Sequence, residues 1–402
     1  MSFQPPIGIA DIHVPESGTW RRVLVAWEEW SALFGYPLIL SPVLEATELF
    51  ERGVGDTSEV VTKQMYTFED KGGRSVSLRP EGTAGVVRAF LHSGARGPWK
   101  AAYSGPMFRY ERPQRGRSRQ FYQVGVEYLD VDSPLADVEV IELGYRFIRS
   151  VGLEHLELRL NSLGDSVCRP RYLEELRTYF RDNEERLCSD SVSLIDRNPL
   201  RILDCKVCSE VVTDAPRMAE FLCDDCREHH EAVRSGLEHL GVPYVEDPSL
   251  VRGLDYYTRT AFEYIGVDLD AAQNAVGGGG RYDGLAESIG GRQAPGVGFA
   301  LGVDRIVLAI GEEPDPTLDA YVVSETGPGD VLTLISDLRG HGFAVDFDIE
   351  GKSVKSQFKA AGRTGAPITI IYHGDDQDVS VRIEEKRHEV PLQEVARWLT
   401  TR

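Results

Sequence analysis

The sequence contains no apolar stretch of the length that a bilayer core demands, so a membrane-spanning chain is not expected. Its start, MSFQPPIGIADIHVPESG, has neither a basic leader nor an apolar run, so export is not expected either. Cysteine is sparse, six in 402 residues, and four of the six fall in two C-x-x-C pairs. That usage argues against a disulfide framework and fits a reducing, cytoplasmic setting. Excess positive charge is missing too. The net charge of −20 speaks against general nucleic-acid binding and leaves only local basic patches for it. Both common phosphate cradles are absent. Gly351-Lys352-Ser353 ends like a P-loop, but the upstream glycine position holds Asp346, and the run 277–280 does not fit G-x-G-x-x-G. A nucleotide held here must be gripped by arginines, and Arg109, Arg252 and Arg305 are placed for it at strand ends and helix starts.

What is present centres on residues 104–128, SGPMFRYERPQRGRSRQFYQVGVEY. Two alternating apolar runs flank an arginine-rich centre, which predicts a β-hairpin with a long loop. A period of two places Phe121, Gln123, Gly125 and Glu127 on one face and Tyr122, Val124, Val126 and Tyr128 on the other. The first face offers a ring, an amide and a carboxylate, with a gap at Gly125 where a ligand could lie against the backbone. With Arg109 at the end of the partner strand, this wall suits a small zwitterion on one side and a phosphate on the other. The same residues would also serve as a solvated cross-strand pair and loop tip.

Along the chain, helical spacing covers 18–34, with Trp20, Val23, Leu24, Trp27 and Leu33 on one side. A short strand is expected at 37–40, a helix over 50–61, and strands at 65–69 and 75–78. Residues 79–83 form a turn opening a helix, where Glu81 and Thr83 face a pocket or cap the helix. A helix at 136–151 and an edge strand at 154–161 follow. Residues 165–248 read as a helical insertion. Arg252-Gly253 turns into a strand holding Tyr256 and Tyr257, and a short strand at 296–301 leads into a helix at 303–310. The tract 312–316 is a linker by composition. Beyond it, 318–402 alternates strand and helix, which predicts a mainly parallel sheet. A core over 1–314, interrupted by the insertion, and a separate C-terminal unit are therefore expected.

Cys205-x-x-Cys208 and Cys223-x-x-Cys226, 14 residues apart, have the spacing of one four-cysteine structural zinc site, with His229 and His230 as alternates. The other reading is four buried or solvent-facing thiols. Lys355 and Lys359 lie one helical turn apart, a basic stripe fit for a phosphate backbone or a solvated face.

Residues 78–83 (LRPEGT), 105–117 (GPMFRYERPQRGR), 252–257 (RGLDYY), 279–285 (GGRYDGL) and 298–308 (GFALGVDRIVL) carry a resemblance to class II aminoacyl-tRNA synthetases. It covers nearly the whole chain, and RGLDYY makes it most similar to the histidyl-tRNA synthetase family. The resemblance implies an α+β fold: an antiparallel sheet flanked by helices, with a helical insertion and a C-terminal α/β anticodon-binding-like domain. It also implies a homodimer that activates L-histidine with ATP and Mg²⁺ and transfers it to histidine tRNA, with no membrane involved. By that likeness Arg109 grips the α-phosphate and Arg305 the γ-phosphate, Arg117 joins them on ATP, and Phe121 stacks on adenine. Glu81, Thr83 and Gln123 surround the α-amino group, Glu127 and Tyr257 read the imidazole, and Gly82 and Tyr256 also belong to the histidine site. Arg252 bridges the α-phosphate and the histidine carboxylate, unless it is a surface arginine paired with Asp255. Gln114 and Arg115 meet the acceptor end of the tRNA at its extra 5′ guanosine. Two places depart from the family pattern. Ile7-Gly8 stands where Arg-Gly is usual, and residues 374–385 are shorter. The alternative is a catalytically silent relative, the regulatory subunit of ATP phosphoribosyltransferase, which generally lacks the last domain.

Overall fold

The computed structural model describes residues 3–55, 58–267, 269, 274–311, 318–374 and 377–401. The chain divides into two compact units, Met1–His13 with Thr19–Glu312, and Val14–Gly18 with Glu313–Arg402. In the first unit the stripe Trp20, Val23 and Trp27 forms the buried side of α1 (Glu16–Leu33). Leu33 is 76% exposed. Thirteen residues past Trp20, at about 100° per residue, it has rotated away from the stripe.

A three-stranded antiparallel sheet comes next: β1 (Leu44–Ala46), α2 (Thr47–Val54), then β2 (Tyr66–Glu69) and β3 (Ser75–Leu78), with β3 central. The single helix expected over 50–61 is cut after α2 by Gly55, at φ 97°, and a separate π-type turn covers Val60–Gln64. The strand expected at 37–40 is one bridge, Leu38 to Ala102. Then follow α3 (Thr83–Ser93), β4 (Trp99–Phe108), β5 (Gln120–Leu129), α4 (Pro134–Ser150) and β6 (Leu156–Ser162). Four α-helices, α5 (Arg169–Asp182), α6 (Ser189–Leu194), α7 (Ser209–Thr213) and α8 (Asp224–His239), occupy the inserted stretch. After them come β7 (Val245–Glu246), β8 (Thr258–Gly266), β9 (Ala275–Arg281), α9 (Leu285–Ser288), β10 (Gly296–Gly302) and α10 (Val303–Ile310).

The main sheet runs β4-β5-β10-β9-β8-β6-β7. Its pairs are antiparallel except β6 with β7. The strand expected at the edge over 154–161 is β6, which pairs with β8 along its length and with β7 at Arg159 and Leu160, so the two-residue β7 is the edge. Alternation sets the layers. Val124 and Val126 of β5 point to the core with Trp27, Ile141, Phe147, Leu237 and Phe299, which leaves the opposite face of β5 free to build a site. The insertion has its own core around Tyr172, Leu176 and Phe180, spaced four apart on α5.

Among the described residues of this unit, Arg281 of β9 and Asp137 of α4 form a fully buried ion pair. Arg281 also donates to the carbonyls of Val131 at 2.9 Å and Ser133 at 3.1 Å. His229 of α8 lies 3.2 Å from the same carboxylate. Burial alone would raise the Asp137 pKa; His229 and Arg281 overcome it and hold the value below the ordinary one. Leaving such a charge without its partner typically costs about 3–5 kcal/mol, so this cluster locks α4, α8 and β9 together.

The second unit contains β11 (Ala320–Ser324), α11 (Leu332–Gly340), β12 (Val345–Phe347), α12 (Val354–Thr364), β13 (Ile368–Tyr372), β14 (Asp378–Ile383), β15 (Lys386–Pro391) and α13 (Val395–Thr400). The order is β12-β11-β13-β14-β15. The first three strands are parallel as expected, but β14 and β15 add an antiparallel hairpin, so the sheet is mixed. The linker expected at 312–316 lies outside the described residues. Among the described residues no helix is long and apolar enough to cross a membrane.

Candidate active site

The polar face of β5 opens on a cavity of about 230 Å³. Phe121 and Gln123 line it, as the alternation predicts, and the buried Gln123 Oε1 has no partner among the described residues. Arg109 follows the end of β4. Its Nε donates to the carbonyl of Pro80 at 2.9 Å, and its guanidinium lies 5.2 Å from the Phe121 ring centre.

The start of α3 closes one side. The Glu81 carboxylate accepts the backbone N–H groups of Thr83 and Ala84, each at 2.8 Å. Glu81 therefore caps the helix and lines the cavity at once, so the two sequence readings are both met. Thr83 lines the cavity and donates its hydroxyl to Glu127 at 2.7 Å. Glu127 is fully buried behind this wall and also accepts from the Tyr282 hydroxyl. Burial pushes its pKa up to about 8, against the pull of those two hydrogen bonds.

The gap expected at Gly125 is filled. A Cβ there would strike the Tyr103 ring, 2.5 Å from Cζ, and Gly82 is crowded by the same ring. These glycines make room for Tyr103, not for a ligand.

Opposite stand Arg252, Tyr256 and Tyr257. Arg252 does not pair with Asp255, which takes Asn198 at 3.1 Å and Arg201 at 3.4 Å. Its Nη1 donates to Glu263 of β8 at 2.7 Å, and its buried Nε has no partner among the described residues. A Cβ on Gly278 would lie 2.9 Å from that Nη1. The glycine run thus admits Arg252 and the main chain of β10, which a Cβ on Gly277 or Gly279 would meet. Tyr256 and Tyr257 precede β8, which begins at Thr258, because the turn extends further than expected.

Arg305, in the first turn of α10, donates to the carbonyls of Ala275 at 2.5 Å and Gly116 at 3.4 Å. Arg117 lies 3.6 Å from Glu111. Burial draws Arg109 and Arg305 below the usual arginine pKa, and the charge of Arg117 adds to the pull on both. Guanidiniums crowded against their own repulsion mark a site for a multiply charged anion. Gln114 and Arg115 stand outside the cavity, exposed at the hairpin tip. The Gln114 and Arg117 main chains close that tip with bonds of 3.1 and 2.8 Å.

The sequence reading missed Glu263, Asp304 and Tyr282. Glu263 sits across from Gly278 in register, so the glycine run was its one signal. Asp304 lines the cavity and accepts the N–H of Tyr122 at 2.8 Å.

The zinc expectation needs correction. Cys205 and Cys208 gather with Cys188, whereas Cys223 and Cys226 gather with Cys168 and Asp165. The four cysteines divide between two clusters because the 14-residue spacer contains α7 and a further turn, which carry the chain away. Neither alternate histidine joins a cluster: His229 is held by Asp137, and His230 lies 3.1 Å from Glu246.

The family model described as histidyl-tRNA synthetase matches residues 8–306. A histidine–tRNA ligase from Halothermothrix orenii is 46% identical over 390 residues, covering 94% of this chain and 93% of the relative. The crystal structure of an apo S. aureus histidyl-tRNA synthetase superposes with a TM-score of 0.80 at 35% identity, covering 99% of each chain. A Bacillus halodurans structure titled ATP phosphoribosyltransferase regulatory subunit/histidyl-tRNA synthetase shares the fold, with a TM-score of 0.68 at 23% identity over 93% of this chain and 99% of that one.

Proposed function

The chain belongs to the histidyl-tRNA synthetase family, and from that membership we infer that it is a histidine–tRNA ligase. It activates L-histidine with ATP and passes the histidyl group to the 3′ end of histidine tRNA. The observation that carries this reading is the meeting of Arg109, Arg252 and Arg305 in one cavity with Glu81, Thr83 and Gln123. The regulatory-subunit alternative is less supported, since the relative at 46% identity is a ligase.

In the first step a carboxylate oxygen of histidine attacks the α-phosphorus of ATP. One P–O bond forms, the bond to the bridging oxygen breaks, and pyrophosphate leaves with the electron pair. Two anions must approach, so fixed positive charge between them lowers the barrier. Arg252 takes that place, held by Glu263 through Nη1, with its Nε unpartnered among the described residues. Arg109 holds the α-phosphate, Arg305 the γ-phosphate and Arg117 the same polyphosphate, while Phe121 stacks on adenine. Mg²⁺ enters as part of the ATP substrate complex and neutralises the outer phosphates. Glu81, Gln123 and the main chain at Gly82 meet the α-amino group. Tyr256 and Tyr257 face the imidazole, and Glu127 acts through Thr83 as a positioning residue. In the second step a terminal ribose hydroxyl of the tRNA attacks the carbonyl carbon and AMP leaves.

Gln114 and Arg115 meet the acceptor end at its 5′ guanosine, for which their exposure is suited. The homodimer is supported by exposed Leu38 (62%), Leu40 (78%) and Leu44 (47%), an apolar stretch that a second copy would cover. Six cysteines, none in a disulfide, accord with a cytoplasmic setting.

The test is pyrophosphate exchange by Arg252→Ala. Loss of one preorganised donor commonly lowers rate by about 10²–10³, and turnover should fall more than the apparent KM for ATP rises. Arg252→Lys should recover only part, because an ammonium cannot bridge two anions as a planar fork does. Exchange within a few-fold of the parent would remove Arg252 from the chemistry.

A further inference from the structure

We propose that Asp165, Cys168, Cys223 and Cys226 form a structural zinc site that pins the two ends of the insertion together beside the active-site tyrosines. The three thiols and the carboxylate offer one ligand atom each, all within 4.8 Å of one another. Cys168 Sγ lies 3.8 Å from Cys226 Sγ and 3.4 Å from Asp165 Oδ1. Cys223 Sγ lies 3.9 and 4.0 Å from the two Asp165 oxygens. A tetrahedral zinc with Zn–S near 2.3 Å and Zn–O near 2.0 Å has S···S edges of about 3.8 Å and S···O edges of about 3.5 Å. Cys168 stands at those edges from Cys226 and Asp165, Cys223 lies about 0.4 Å beyond the S···O edge, and the Cys168–Cys226 separation is far beyond the ~2.05 Å of a disulfide.

The carboxylate is aimed by the chain itself. Asp165 Oδ1 accepts the N–H groups of Val167 at 2.9 Å and Cys168 at 3.2 Å, while Oδ2 lies 4.0 Å from Cys223 Sγ and 3.9 Å from Arg259 Nη2, a cation that favours the ionised carboxylate beside the thiols. Cys168 and Cys226 are buried, so the cluster is closed to solvent on one side. Four protein ligands leave no open position, which makes the site structural. Its location gives it a role. Cys168 precedes α5 and Cys223 precedes α8, so one ion would join the entry of the insertion to its last helix. Arg169, next to Cys168, donates to the carbonyls of Leu163 at 2.9 Å, Gly164 at 3.1 Å and Tyr257 at 2.6 Å. The metal would thus hold the support of the Tyr256–Tyr257 turn.

The second cluster, Cys188, Cys205 and Cys208 with the Ser191 hydroxyl, has three thiols and supplies the control. The experiment starts from the full chain carrying Cys188→Ser, Cys205→Ser and Cys208→Ser, purified under reducing conditions. This protein should retain one equivalent of zinc by mass spectrometry. Its cobalt form should show thiolate-to-metal charge transfer and the intense d–d bands of a tetrahedral ion. Adding Cys168→Ser should leave less than about a tenth of an equivalent. Asp165→Asn should keep the metal and shift the d–d bands. If the triple variant does not fold, Cys168→Ser and Cys223→Ser in the otherwise unchanged chain should each lose one equivalent relative to the parent. Metal that survives Cys168→Ser, bands unmoved by Asp165→Asn, or a parent protein that takes up neither zinc nor cobalt would overturn the site.

Discussion

Glu127 links the binding wall to the stability of the fold. Its carboxyl accepts from Thr83 and Tyr282 in full burial, and burial raises its pKa from 4.5 to about 8. The sign of the consequence follows from proton binding. Below about pH 4.5 the group is protonated in folded and unfolded chains alike. Between about 4.5 and about 8 only the folded chain keeps the proton, so stability falls as pH rises through this window and levels off above it. Glu127→Gln mimics the protonated form and should flatten that slope. Denaturant unfolding of parent and variant from pH 5 to 8 reads it, and parallel slopes would show that Glu127 does not titrate there. At this scale the sequence was most informative where alternation ruled: Phe121, Gln123 and Glu127 share the face expected of them. It was silent on Arg281 and Asp137, a buried pair 144 residues apart with no local pattern. It also misread Gly125, because the ring that fills the gap comes from another strand.

Among elements, the β4–β5 hairpin carries two separable tasks. Its base lines the cavity, and its tip is closed by a tight turn between Gln114 and Arg117 that leaves Gln114 and Arg115 exposed. Amides and guanidiniums are the groups that read base edges. Replacing both residues with Ala should therefore slow transfer to tRNA and leave pyrophosphate exchange near the parent rate. If a tRNA without its extra 5′ guanosine were charged by the parent as well as the intact one, the tip would have no such role. The same hairpin was legible as an element because its strands alternate strictly. The hairpin of β14 and β15 was not, since its turn runs through Glu384 at φ 54° with no glycine to announce it. Cysteine spacing misled for a related reason: two C-x-x-C pairs at a metal-like separation belong to two clusters, each completed by residues that precede its pair in the chain, Cys188 in one and Asp165 with Cys168 in the other.

At the scale of the whole molecule, the first unit contains every residue lining the cavity, and the second contributes a mixed sheet with a basic helix. Lys355 and Lys359 of α12 are exposed one turn apart, as a surface for a phosphate backbone requires. A chain ending near Pro316 that stays folded should form adenylate at close to the parent rate and charge tRNA poorly. Equal loss of both reactions would count against assigning tRNA selection to the second unit. The central claim is that the arginine-lined cavity activates histidine rather than merely sensing it, and histidine-dependent exchange of labelled pyrophosphate into ATP by the full chain tests it most directly. Rapid exchange is expected with L-histidine, none with other amino acids, and the exchange should depend on Mg²⁺. Tight histidine binding with no exchange would contradict it and return the protein to a regulatory role.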